Sequence, residues 1–205
     1  MSALVSATNL RMTPWRLPAQ GMAIFEGGCN TARLSHYFLP SLICRGKRVL
    51  FLDGANSVDP RLMSRLGRRR GISFDQLNAC VRICRAFTCF QLTELISRVP
   101  KFLAEFPAEV VIVTAFPELY LDEDIRDWDA RVAFRQALHQ LRALAQCRES
   151  PLAVGVFSSY GTFAPLAARR GFFRATCAAA TEVWKFQPGE DGRPRLLPVA
   201  APPES

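Results

Sequence analysis

Apolar, β-branched runs alternate with amphipathic stretches along nearly the whole chain. That alternation predicts an α/β domain, an open and mostly parallel sheet covered by helices on both faces. Two further observations shape the expectation. At 205 residues the chain suits one well-packed domain and is too short for two comfortable ones. Residues 180–186 and 195–199 flank a turn at Pro188-Gly189-Glu190-Asp191-Gly192, which predicts a C-terminal β-hairpin. The expected organisation is an arm over 1–20, a domain over 21–199 and a disordered tail over 200–205.

Taken in order, residues 1–20 show no stable period, and Pro14 and Pro18 break any helix. Trp15 and Leu17 give this arm two apolar anchors, for the domain's own surface or for a neighbouring subunit. Met22 to Phe25 reads as a short strand and Gly27-Gly28 as a turn. An amphipathic helix follows from about Thr31, with Leu34, Phe38 and Leu42 on one stripe and Pro40 bending it. Arg48 to Asp53 is a buried strand ending in an acid. Asp59-Pro60 caps a helix to about Arg70, because Asp at the N-cap and Pro in the first turn are start signals. Ala79 to Arg85 alternates as a strand, and residues 91–106 read as one amphipathic helix. Glu109 to Thr114 is a buried strand, a long helix runs from about Asp129 to Cys147, and Leu152 to Phe157 is the next strand. Ligands of such sheets sit beyond the C-terminal strand ends. Those ends present Glu26 to Asn30, Asp53 to Ser57, Thr114 to Glu118 and Ser158 to Gly161.

The formal charge is +8, carried by 23 arginines against 3 lysines. Guanidinium pairs bidentately with phosphate and carboxylate, so polyanions or acidic proteins are the favoured partners. Arg65, Arg68, Arg69 and Arg70 form the densest group, at a helix end where they complement the dipole and offer a contact to DNA or an acidic partner. Seven cysteines without a CxxC pair suit the reduced thiols of a cytoplasm. Cys80, Cys84 and Cys89 have neither histidine near them in sequence, so they read as small buried hydrophobes, and no metal is expected. No secretory h-region opens the chain and no run approaches the ~18 apolar residues of a membrane span, so a cytoplasmic, membrane-free location is expected.

From Gly21 to Cys44 the order is strand, glycine loop, helix, the order that cradles phosphates in P-loop proteins. The pattern G-x-x-x-x-G-K-[ST] is not met, because Asn30, Thr31 and Ala32 stand where its glycine, lysine and hydroxyl belong. Three other phrases share a family pattern. Val49 to Asp53 ends in an acid, Arg85-Ala86-Phe87-Thr88 is followed by Gln91 and Leu92, and Val110 to Tyr120 reads VVIVTAFPELY. With these phrases in this order, the chain resembles the ATPase core of the RecA family, particularly RadA-type recombinases and their paralogs, over roughly residues 18–200.

The resemblance implies a RecA-like P-loop NTPase core with a mostly parallel central sheet and a closing hairpin. It also marks what is missing. Thr114 stands for the Walker B aspartate, Gly54-Ala55-Asn56 for the segment with the water-activating glutamate, and Ser158-Ser159 for the γ-phosphate-sensing glutamine. Phosphoryl transfer depends on charge neutralisation and an oriented water, so no catalytic residues and no enzyme are expected. The implied function is an accessory or adaptor protein of DNA recombination or repair. Its partners would be RecA-type or other repair proteins, with DNA and self-association also open. The alternative is a regulatory protein that holds ATP without turning it over. Gly27, Gly28, Cys29, Asn30 and Thr31 would then supply the vestigial phosphate loop, with Arg33 in place of the lysine. A third class, an enzyme built on Ser159 or Cys29, lacks a histidine placed beside either, because His36 and His139 lie within helices. Asp122, Glu123, Asp124 and Asp127 read as a solvated loop and helix start rather than a cation site.

Overall fold

The computed structural model describes residues 15–147, 151–162, 167–189 and 193–199; the arm before Trp15 and the tail from residue 200 lie outside them. The chain is α/β, and its described residues form seven strands in one sheet of order β3-β2-β4-β5-β1-β6-β7. These are β1 (Gly21–Glu26), β2 (Val49–Asp53), β3 (Val81–Arg85), β4 (Val110–Thr114), β5 (Ala153–Ser158), β6 (Glu182–Pro188) and β7 (Pro194–Val199). All neighbours are parallel except β6 and β7, which form the closing antiparallel pair. Strands β2, β4 and β5 are buried at every position, as strands covered on both faces must be, whereas β3 at the edge alternates.

Two cores sandwich the sheet. On one face pack α2 (Leu39–Cys44), α3 (Pro60–Arg68) and α4 (Phe74–Cys80), through Phe38, Leu39, Ile43, Met63 and Leu77. Trp15 and Leu17 belong to this face. The Trp15 ring lies 5.7 Å from Phe38 and 5.1 Å from Phe186, so this part of the arm docks on its own domain. The other face carries α5 (Cys89–Ser97), α6 (Val99–Glu105), α7 (Asp127–Gln146) and α8 (Gly171–Ala178), through Leu92, Ile96, Phe134, Leu141 and Phe172.

Local signals explain most boundaries. Asp59 caps α3 by accepting from the Leu62 N–H at 3.0 Å, with Pro60 at the first position. Thr88 caps α5 through the Gln91 N–H, and Gln91 Oε1 accepts in turn from the Phe87 N–H at 2.7 Å. Gln91, one of the residues that carry the family resemblance, therefore has a structural task here.

Three expectations need correction. Ala79 and Cys80 finish α4 rather than start a strand, because Ser73 and Gln76 form a capping box that nucleates a helix at Phe74. The stretch 91–106 is two helices, since Pro100 restarts the chain near the first turn of α6. The helix after the glycine turn is broken into α1 (Thr31–Leu34), a 3-10 turn (Ser35–Phe38) and α2, with Pro40 in the first turn of the last. Helix α8 had no assignment in the sequence reading.

Candidate functional site at the strand ends

Strands β1 and β2 pass the chain to helices on one face, β4 and β5 to helices on the other. The loops therefore part above β1/β5 and β2/β4, the switch points where α/β sheets take ligands. A cavity of about 900 Å³ opens there, walled by residues from the loops after all four strands, Asn30, Asn56, Glu118 and Ser159 among them.

The glycine turn behind this cavity is closed on itself. The Gly27 N–H donates to the Ser158 carbonyl at 3.1 Å, Thr31 N–H to Gly28 O at 3.0 Å, and Arg33 N–H to Asn30 O at 3.0 Å. The buried Thr31 hydroxyl donates to Gly28 O at 2.6 Å. Gly27 is a glycine for space: a Cβ there would meet Thr31 Oγ1 at 2.7 Å and Phe186 Cβ at 3.1 Å. Helix α1 is a single turn, too short to project much of a dipole. Of the predicted loop residues, Cys29, Asn30 and Arg33 line the cavity, while Gly27, Gly28 and Thr31 do not. The Arg33 guanidinium is engaged with Asp59 Oδ2 at 2.9 Å.

Asp53 and Thr114 form the second part. Asp53 is fully buried at the end of β2 and accepts from the Ser57 N–H (3.0 Å), the Val58 N–H (3.0 Å) and the Thr114 hydroxyl (3.1 Å). Thr114 Oγ1 accepts in turn from the Ala55 N–H at 3.1 Å. The acid is thus the brace of the 54–58 loop. That loop crosses β4 so closely that a Cβ on Gly54 would lie 2.6 Å from the Thr114 carbonyl.

Beyond β4 the chain turns through Ala115, whose φ of +57° is unusual for a residue with a side chain, into a 3-10 turn at Glu118–Leu121. Glu118 is buried in the wall, where one oxygen accepts from the Ser159 N–H and Oε2 has no partner among the described residues. Burial pushes its carboxyl up to about 7, only partly offset by backbone N–H groups, its own and that of Ser159. Between 4.5 and about 7 the folded protein keeps a proton that the unfolded chain releases, so stability is full below this window and falls as pH rises through it. Glu118→Gln should flatten that slope and, near pH ~8, raise stability by up to roughly 3 kcal/mol in urea denaturation. An unchanged slope in the variant would assign the effect elsewhere.

Arg169 holds the loop that follows. Its guanidinium is 1% exposed; it donates to Asp127 Oδ1 at 2.8 Å and to the carbonyls of Tyr120, Asp122 and Ile125. The sequence reading did not single it out, and its contacts lie more than 40 residues away, so no local spacing marks it.

His36 is a satisfied core residue: its Nδ1 lies 2.9 Å from Arg33 O and its Nε2 accepts from the Asp59 N–H at 3.1 Å. Burial lowers its pKa, keeping the ring neutral, and neither nitrogen is free to activate Cys29 or Ser159. His139 is exposed on α7. Cys80, Cys84 and Cys89 fall at the end of α4, in β3 and at the start of α5, and no group of three His, Cys, Asp or Glu among the described residues is arranged to hold a metal ion.

The arginine group sits elsewhere, on α3 and just past its end. Arg65, Arg68, Arg69 and Arg70 are exposed, as is Arg61 one turn earlier, and none of the five makes a salt bridge within the described residues. Arg61, Arg65 and Arg68 line a shallow groove of about 550 Å³ with Phe74, whose ring is 56% exposed. Phe74 and Arg61 carried no mark in the sequence reading. Among the described residues no helix is long and apolar enough to cross a membrane. No protein-family model and no curated protein matches the chain.

Proposed function

We propose that the chain is a RecA-like core that has become a non-catalytic accessory protein of DNA recombination or repair, acting by docking to a RecA-type or other repair protein and contacting DNA through the α3 arginines. One observation carries the non-catalytic part: Thr31, Asp53 and Thr114, at the positions where a phosphate loop and its magnesium site would need free groups, are consumed by their own neighbours. Thr31 bonds back to Gly28, and Thr114 bonds to an Asp53 already committed to its own loop. Magnesium and phosphates would have to displace these bonds, and no lysine or free arginine stands at the turn to compensate. Exposed Arg61, Arg65 and Arg68 beside an aromatic ring supply the chemistry for a polyanion, with Arg69 and Arg70 just past the helix end, since guanidinium pairs phosphate and Phe74 offers a stacking face.

Two titrations test this reading. A fluorescent ATP analogue with magnesium should show no saturable binding up to millimolar concentration, and saturable micromolar binding would replace the reading with a nucleotide-regulated one. A fluorescent single-stranded oligonucleotide should bind with a log–log salt slope of about −0.7 per phosphate contacted. Arg65→Glu with Arg68→Glu should weaken that binding at least tenfold and flatten the slope. Binding that ignores salt, or survives the double variant, would remove α3 from the proposal. Co-sedimentation with a RecA-type recombinase tests the docking role directly, and its absence would count against it.

A further inference from the structure

The accessory role makes no use of the strand-end cavity, whose chemistry points to a ligand of its own. Glu118 is only 7% exposed, lines the cavity and leaves Oε2 without a hydrogen-bond partner among the described residues. A buried carboxylate oxygen without a donor is unfavourable unless something that enters the site supplies one. Among the described residues the other charged groups on the walls are Asp122, Glu123 and Arg33. Arg33 is paired with Asp59 at 2.9 Å, so the field inside is set by three carboxylates. Asn30, Asn56 and Ser57 add neutral polar groups around them. About 900 Å³ falls within the size range of sites that enclose small organic molecules. A bare metal ion would lack ligands, because no set of three donors is gathered among the described residues. An organic cation brings several N–H donors of its own and needs one deep carboxylate to anchor it.

We propose that this cavity binds a small organic cation, through an ammonium or guanidinium group seated on Glu118 with Asp122 and Glu123 as outer counter-charges. The same three carboxylates repel phosphate, so the ligand is not a nucleotide, and the inference stands whether or not the chain serves DNA repair.

The test is calorimetric titration of the full chain with agmatine, which carries both cationic groups, with inorganic phosphate as the anionic control. Saturable agmatine binding is expected near pH ~8, with Glu118→Gln weakening it at least tenfold. Binding should also weaken near pH ~6, where Glu118 keeps its proton and Asp122, Glu123 and Arg33 are the remaining charges on the walls. The variant keeps the shape of the wall and should melt no lower than the parent, so lost binding is separable from lost folding. No saturable heat up to about 10 mM agmatine, equal affinity in the variant, or displacement of agmatine by phosphate would each overturn the proposal.

Discussion

Replacing Arg169 by alanine should lower the stability of the domain by about 3–5 kcal/mol, the size of effect seen when one partner of a buried ionic network is removed. The guanidinium is buried to 1% exposure and joins four acceptors in the loop between β4 and α7: the carbonyls of Tyr120, Asp122 and Ile125 and the Asp127 carboxylate. The Asp127 bond contributes the smaller share, because that carboxylate is 47% exposed and screened by solvent. The larger share comes from carbonyls stripped of their donor beneath a side-chain-sized void. Arg169→Lys should recover little, since one ammonium cannot reproduce a planar fork that reaches carbonyls on several sides at once. Urea denaturation of both variants gives the stability, and limited proteolysis reports the local consequence. Cleavage within 118–127 should accelerate more than cleavage in α5 or α8. A loss below about 1 kcal/mol would mean that the loop is held by its own packing around Tyr120 and Phe116.

What the sequence made legible follows the range of the interactions. The alternation of Val49 to Asp53 and Val110 to Thr114 with amphipathic stretches is a local signal that yields the parallel sheet, and the turn signal from Pro188 yields its closing hairpin. The Asp59-Pro60 start of α3 was equally readable, because an N-cap acts within three residues. The capping box at Ser73 and Gln76 is just as local, but the sequence reading does not take it up and starts the strand at Ala79 on alternation, two residues early. The site was legible only as an address. Strand ends named the right loops, yet the sequence did not say that Thr31 would fold back on Gly28, or that Thr114 would satisfy Asp53 across two adjacent strands. Glu118 reads as one acid among several in a loop, and only the folded chain, which sets it against Ser159, makes it a buried carboxylate. Such properties depend on contacts across 41 to 61 residues, to which periodicity and spacing are blind.

Asp53 gives the sharpest distinction between a brace and a remnant of catalysis. As a brace, Asp53→Ala should cost about 3 kcal/mol or more, because it leaves the Ser57 and Val58 N–H groups and the Thr114 hydroxyl without an acceptor in a fully buried place. Asp53→Asn should cost less, since one amide oxygen still accepts while the NH₂ group faces a donor in the other direction. Arg85 is a weaker participant: its Nε lies 3.7 Å from Asp53 Oδ2 and its side chain is 46% exposed, so Arg85→Ala should stay within about 1 kcal/mol. The coupling to Thr114 can be isolated by a double-mutant cycle with Thr114→Val, which removes the hydroxyl and keeps the branched shape. An interaction energy of about 1 kcal/mol or more is expected there, because the two groups share a cross-strand side-chain bond at 3.1 Å and both are fully buried. A cycle that closes to zero, together with a mild Asp53→Ala, would mean that the loop does not depend on its acid. The carboxylate would then be free for a ligand, and the non-catalytic reading would lose its main support.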